Sequence, residues 1–438
     1  MKQLKQALYG IGILFFFAAF LACGKNSGIN SHLLVIAQQD SLRGIWDITA
    51  KDWLVRNNYQ DIGIFKEGLA LIKRDNKWGF ADTTGKEVIA PVYDDAFAEG
   101  FIEGRAFVNI NGKWGMIDKK GKRMPEPQFD EVYSYSNGFY SVKREELWNF
   151  ISTDGKLLLP EWYTYVSSFN GGYASVQAQF YSEAYSDYDY VAFIVNKNGV
   201  TNRNDSLFGY IHSFGKGNAV ATLRVNKQEV LIDTAGNILF KASHSPVYFN
   251  KEGSFGNGYI VFKTITSKYG LLNPRGQMVL DSIYDDIRGM SEGRVSFYTN
   301  GKWGIADSTG RIIIPPSFDD AVNFSEGLAA AYLKSKCGFI DKTGKWVVPP
   351  SFDNAVYFHN DFAHVTIGEK SGVINKSGKF MISCEYNFLS AVEANGCFSF
   401  KEDNNFGVID TTGRELTKAQ FESLEPVMKM KNGTMYRN

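Results

Sequence analysis

The sequence predicts an all-β fold, a tandem repeat array of β-hairpins with about eleven copies of about 34 residues, laid out as an open solenoid or superhelical band. A β-propeller is the alternative arrangement. Three observations carry this expectation. The stretch Gly301-Lys302-Trp303-Gly304-Ile305-Ala306-Asp307-Ser308-Thr309-Gly310-Arg311 returns nearly intact from Asn76 to Lys86 and again from Gly112 to Lys122. The place of Gly304 recurs at Ile45, Gly79, Gly115, Asn149, Phe193, Val230, Gly270, Gly338, Gly372 and Gly407, with five of the ten steps at 34 residues and one of 44. Third, every copy after the first closes this motif on Asp, Asn or Ser followed three residues later by Gly, as in Asp307-x-x-Gly310 and Asp341-x-x-Gly344. Such a turn is type I with a left-handed glycine making a G1 bulge, the natural closure of a short hairpin. The open array is preferred because propeller blades usually take about 40–45 residues and rings usually close at about four to eight blades.

Each copy reads in the same order. An apolar run opens at a Glu-Gly turn, as in Glu326-Gly327-Leu328-Ala329-Ala330-Ala331-Tyr332, and a second short strand follows at Gly338-Phe339-Ile340. The Asp-x-x-Gly turn leads to a third strand, Trp346-Val347-Val348, so about three strands are expected per copy. A segment such as Pro315-Pro316-Ser317-Phe318-Asp319-Asp320-Ala321 then returns to the next copy, and its prolines, which cannot donate to a ladder, mark a strand end or edge. The Asp pairs there, Asp94-Asp95, Asp285-Asp286 and Asp319-Asp320, read as loop caps or, on a sharper reading, as oxygen ligands for calcium. Strand geometry favours caps, since neighbouring residues point to opposite faces.

The tryptophans Trp78, Trp114 and Trp303, each beside a glycine (Gly79, Gly115, Gly304), are expected to be the structural anchors of units too small to fold alone. A buried Trp removes roughly 150–250 Å² from water, about 4–6 kcal/mol of hydrophobic gain. The glycine beside it lets a neighbouring backbone approach or a strand bulge. The other reading, a row of sugar-stacking platforms, sits poorly with Ser371 and Cys337 in the tryptophan place of other copies.

The remaining chain divides accordingly: residues 1–22 as a signal peptide, 23–32 as a tether, 33–424 as the array and 425–438 as a C-terminal tail or capping strand. Lys2 and Lys5 form a positive n-region and Ile11 to Ala22 an apolar run of signal-peptide length, short of the roughly 20 residues that span a bilayer. The 47 basic and 47 acidic residues balance, so no phosphate-binding stripe is expected and nucleic acid is not a partner. Cys337, Cys384 and Cys397 are too few for a disulfide framework; they read as buried thiols, or as one Cys384–Cys397 bridge and one thiol. No zincin spacing and no Gly-x-Ser-x-Gly elbow occurs, so no catalytic residue, metal ligand or cofactor is assigned. The 44-residue step holds an insertion with Tyr181, Tyr185, Tyr188 and Tyr190 among small and acidic residues. Tyrosine in such company provides rigid amphipathic contact area, and the insertion is either a ligand surface or an extended hairpin with no ligand.

Lys-Trp-Gly followed by Asp-x-x-Gly-Lys, a Pro-x-Tyr/Phe-Asp segment and Phe-x-Glu-Gly-x-Ala resembles the WG (KWG) β-repeat family over about residues 42 to 424. The resemblance implies extracytoplasmic β repeats. Phe20-Leu21-Ala22-Cys23-Gly24 resembles the lipobox of bacterial lipoproteins, which implies lipidation at Cys23 and a lipid anchor in the cell envelope, the outer membrane above all. The expected function is a non-catalytic binding or scaffold lipoprotein presenting its repeat surface to a protein, peptide or envelope polymer. Glycan capture by exposed aromatics is the alternative.

Overall fold

The computed structural model describes residues 32–438 except 125, 127, 183–186, 202–206, 243–246, 250–257, 322, 391–395, 432–433 and 437–438. These residues form eleven antiparallel sheets and contain no helix. The blade around Trp303 shows the plan. Asp286–Ile287, Arg294–Thr299, Lys302–Asp307 and Ile312–Phe318 lie side by side in chain order. The second and third strands are buried on both faces, which is why they read as continuous apolar runs rather than as an alternation. Ile312–Phe318 alternates buried and exposed positions, as a sheet edge with one wet face should.

Each full blade thus has four strands where three were expected. In the blades around Trp303 and after it the added one is two residues long, as at Asp320–Ala321, whose partners are Tyr332 and Ala331. Two residues are too few for any periodicity to show. The sequence marks this segment only as the crossover between copies.

The array is closed, so the propeller alternative, not the open band, describes the architecture. The N-terminal strand Leu33–Gln39 pairs on one edge with Leu42–Asp47 and on the other with two C-terminal strands, Ser423–Leu424 and Met428–Lys431. The first blade is therefore assembled from both ends of the array. Apolar clusters lie between successive blades and include the joint: Val35, Ala37 and Ile48 of the first blade pack with Cys397, Val408 and Phe421 of the last. On the first blade's other side, Leu34, Ile36 and Val55 pack with Phe65, Ala70 and Ile72. In the strand Leu328–Leu333, Ala329 and Ala331 face one neighbour and Ala330 the other, so small side chains let blades approach on both sides.

The first copy needs a correction of one residue. Arg43 pairs with Tyr59 as Trp303 pairs with Phe318, which puts Gly44, not Ile45, in the place of Gly304. Its turn is one residue longer: Lys51 N–H donates to Asp47 C=O, where Gly310 N–H donates to Asp307 C=O. Lys51 takes the left-handed conformation (φ 58°) that glycine takes elsewhere. Counting back from Tyr59 without that insertion shifts the register by one.

Candidate binding surface

The Trp-Gly pair builds the blade. Between the pairs Trp303–Phe318 and Ile305–Ile314 the fourth strand carries extra residues, Pro315 and Pro316 among them, that arch over Gly304. A Cβ on Gly304 would sit 2.9 Å from the Ile314 carbonyl oxygen and 2.7 Å from the Phe297 ring. Prolines suit the arch because their missing N–H groups are not needed there. In the fourth blade Asn149 occupies this place, and its buried amide donates to the carbonyls of Leu159 and Glu161, both at 2.9 Å. Trp303 is buried at 7% exposure beneath Arg288, whose guanidinium lies 4.3 Å from the ring centroid. Trp78 and Trp114 are half-buried, packed against the clusters between their own blades and the next.

Asp307 holds its turn by accepting the Thr309 hydroxyl at 2.6 Å and the backbone N–H groups of Thr309 and Arg311. These bonds, the Thr309 hydroxyl's foremost, pull its carboxyl down to about 2. Gly310 and Gly344, at φ 88° and 90°, bring the turn against the preceding blade, on Val279 and Ile314 respectively.

Two sets of polar latches repeat around the ring. In five blades the lysine before the Trp place reaches the Asp that follows the aromatic of the return segment: Lys77–Asp94, Lys113–Asp130, Lys268–Asp285, Lys302–Asp319 and Lys336–Asp353. The second Asp caps the two-residue strand, as Asp320 does for Ala321 N–H. Between blades, glutamates of Glu-Gly turns reach forward. Glu292 accepts Gly327 N–H at 3.0 Å and pairs with Lys342, and Glu326 accepts Asn360 N–H at 2.6 Å and Asp361 N–H at 2.9 Å and pairs with Lys376. Glu67 does the same with Gly104 N–H and Lys119. The serine before the Glu joins in: Ser291 and Ser325 hydroxyls donate to the Phe324 and Phe358 carbonyls, both at 2.6 Å. Burial alone would raise these glutamates, but the lysine and N–H donors outweigh it and hold Glu67, Glu292 and Glu326 below the ordinary carboxyl value. The recurring Phe-x-Glu-Gly motif and the constant Lys-to-Asp spacing were visible in the sequence; the partners across blades were not.

The insertion in the fifth blade forms a hairpin of two ten-residue strands, Tyr173–Ser182 and Asp187–Asn196, against six-residue strands in the blades around Trp78 and Trp303. Cross-strand register sorts its end into two faces. Phe180 opposes Asp189 on one face. On the other, Tyr181 opposes Tyr188 and Gln179 opposes Tyr190. The first face is fastened to the sixth blade: Arg224 bonds Asp189 at 2.8 Å and stands over the Phe180 ring at 4.9 Å. The second face is open to solvent. Tyr181 is 57% exposed, Tyr188 60% and Tyr190 40%. The rings of Tyr181 and Tyr188 meet edge to face at 5.7 Å, and the Gln179 amide lies 3.4 Å from the Tyr190 hydroxyl. Tyr185 and Cys23 lie outside the described residues.

Elsewhere, a groove of about 950 Å³ runs along Tyr386, Phe388, Lys401, Glu402 and Asp403. Among the described residues, no group of three or more His, Cys, Asp or Glu side chains is placed to hold a metal ion, and no helix is long and apolar enough to cross a membrane. Among the described residues no disulfide joins Cys337, Cys384 and Cys397. Burial pushes Cys337 up to about 11.

The family model described as "WG containing repeat" matches residues 58–78, 78–114, 114–148, 269–303, 303–337, 338–370 and 372–406. No curated protein matches the sequence. Solved structures similar to it include a eukaryotic initiation factor, at 11% identity and TM-score 0.38, covering 72% of this chain and 96% of that one. The extracellular domain of a putative hybrid two-component system from B. thetaiotaomicron matches at 9% identity and TM-score 0.26, covering 93% and 73%. Apo AztD from Citrobacter koseri matches at 10% and 0.26, covering 91% and 97%.

Proposed function

The chain belongs to the WG-containing repeat family, and we propose that it is a non-catalytic binding or scaffold protein, anchored in the bacterial envelope through a lipid on Cys23, whose ring presents a fixed surface to an envelope partner. The observation that supports this reading most is the hairpin of the fifth blade. One of its faces is clamped by Arg224 while the opposite face displays exposed aromatic side chains. A clamped aromatic surface loses little conformational entropy when a partner settles on it. The latched ring behind it gives that surface a rigid base, as binding sites on scaffolds require.

Two measurements test the two halves of the reading. Cys23→Ala should abolish metabolic labelling by a palmitate analogue; labelling that persists in the variant removes the anchor. A photo-crosslinker introduced at Gln179 should capture an envelope component in cells, and the same probe at exposed Val92, on the second blade, should not. Equal capture at both positions, or at neither, removes the binding surface.

A further inference from the structure

We propose that the tyrosine face of the fifth-blade hairpin is a carbohydrate platform, taking a neutral polysaccharide chain across Tyr181, Tyr188 and Tyr190 with Gln179 supplying an amide to the sugar hydroxyls; this rests on the binding role proposed above.

The residues on this face are the first argument. Gln179, Tyr181, Tyr188 and Tyr190 are all exposed and none is an Asp, Glu, Lys or Arg. Among the described side chains of the hairpin end, the charged Asp189 lies at the other face and is paired with Arg224 and Lys227. A neutral ligand with an apolar face and many hydroxyls matches such a surface: tyrosine combines an apolar body with a polar tip, and the Gln amide both donates and accepts.

Size is the second argument, and it separates a glycan from a protein. At roughly 150–250 Å² for an aromatic side chain, exposures of 57%, 60% and 40% leave about 300 Å² of tyrosine surface. A stable protein interface needs about 800 Å² from each partner. The platform falls well short of that and fits a few sugar rings. Order is the third argument. Tyr188 and Tyr190 are two residues apart on one strand, about 6.5–7 Å along it, and Tyr181 is cross-strand to Tyr188. The rings therefore extend along the hairpin, as contacts to a linear chain would. The Arg224 clamp holds that spacing before any ligand arrives.

The test is affinity electrophoresis of the detergent-solubilised full chain in native gels cast with hydroxyethyl cellulose, galactomannan or dextran, with pelleting on insoluble cellulose in parallel. Retardation or pelleting is expected with at least one of these polymers. The variant Tyr181→Ala/Tyr188→Ala/Tyr190→Ala should lose it, each ring contributing roughly two- to tenfold in apparent affinity. The Tyr→Phe triple variant should keep most of it, because stacking needs the ring. Unchanged retention in the alanine variant, or no retention of the wild type on any polymer, overturns the carbohydrate assignment. A protein captured at Gln179 by the crosslinker, with no retention on any polymer, overturns it while leaving the binding role standing; no capture and no retention removes both. Circular dichroism and thermal melting of the alanine variant, expected to match wild type because these side chains lie open to solvent, separate loss of the platform from loss of the fold.

Discussion

Replacing Glu326 tests whether the ring is held by forward-reaching carboxylates. Its carboxylate accepts two backbone N–H groups of the next blade, at 2.6 and 2.9 Å, and lies 3.0 Å from Lys376 Nζ. Well-formed bonds to a charged group contribute about 1.5–3 kcal/mol each. Here the carboxylate and the ammonium are 29% and 37% exposed, so water competes and the ion pair itself adds about 0.5 kcal/mol. Glu326 also sits at φ 52°, a left-handed conformation that costs a non-glycine residue roughly 1 kcal/mol. Glu326→Ala keeps that cost and loses the bonds that offset it. The expected loss is about 2–3 kcal/mol, and Glu326→Gln, which keeps a neutral acceptor, should lose about 1 kcal/mol. The pH dependence has a definite sign. Burial works to raise this carboxyl, but the Asp361 and Asn360 N–H groups and Lys376 bring it below 4.5 in the fold. Its contribution is therefore complete above 4.5 and disappears as pH falls through the lower folded value. Urea unfolding at pH 7 and pH 3, with hydrogen exchange at the Asn360 and Asp361 amides, measures both effects. The wild-type advantage over Glu326→Gln should shrink toward zero at pH 3. If Glu326→Ala loses no more than the same change at exposed Glu369, about 0.5 kcal/mol or less, the latch has no energetic role.

Other outcomes follow from the same geometry. Gly304→Ala pushes a methyl group into the Ile314 carbonyl and the Phe297 ring and should cost about 1–3 kcal/mol in urea unfolding, as overpacking does; a neutral result would show that the arch above Gly304 yields freely. Ending the chain at Phe421 removes Ser423–Leu424 and Met428–Lys431 from the first blade, and small-angle scattering should then show a broader distance distribution from an opened ring. An unchanged distribution would mean that the apolar joint of Val35, Ala37, Val408 and Phe421 closes the ring unaided.

Much of the fold was legible because the information is local and repeated. Asp307 and Gly310 specify a turn within four residues, and the copies restate it until the period is unmistakable. The long strands around Tyr181 and Tyr188 also announced themselves, as a step of 44 where 34 is usual. The first copy was placed one residue out because Lys51 substitutes for the turn glycine and the loop is longer, which removes the local marker. The fourth strand escaped notice because two residues carry no pattern. The latches were half legible: Glu326 recurs at a fixed place, but its partners Asn360, Asp361 and Lys376 lie on the next blade.

The sequence by itself determined the hairpin, its turn, its period and the number of copies, since each depends on contacts made within about 34 residues of chain. Tertiary structure decided that the array closes, because closure rests on pairs such as Ala37 with Leu424 that no local period encodes. It also decided which hairpin face is open: Arg224 arrives from the neighbouring blade to hold Phe180 and Asp189, and a strand's alternation marks two faces without saying which of them a neighbour will cover.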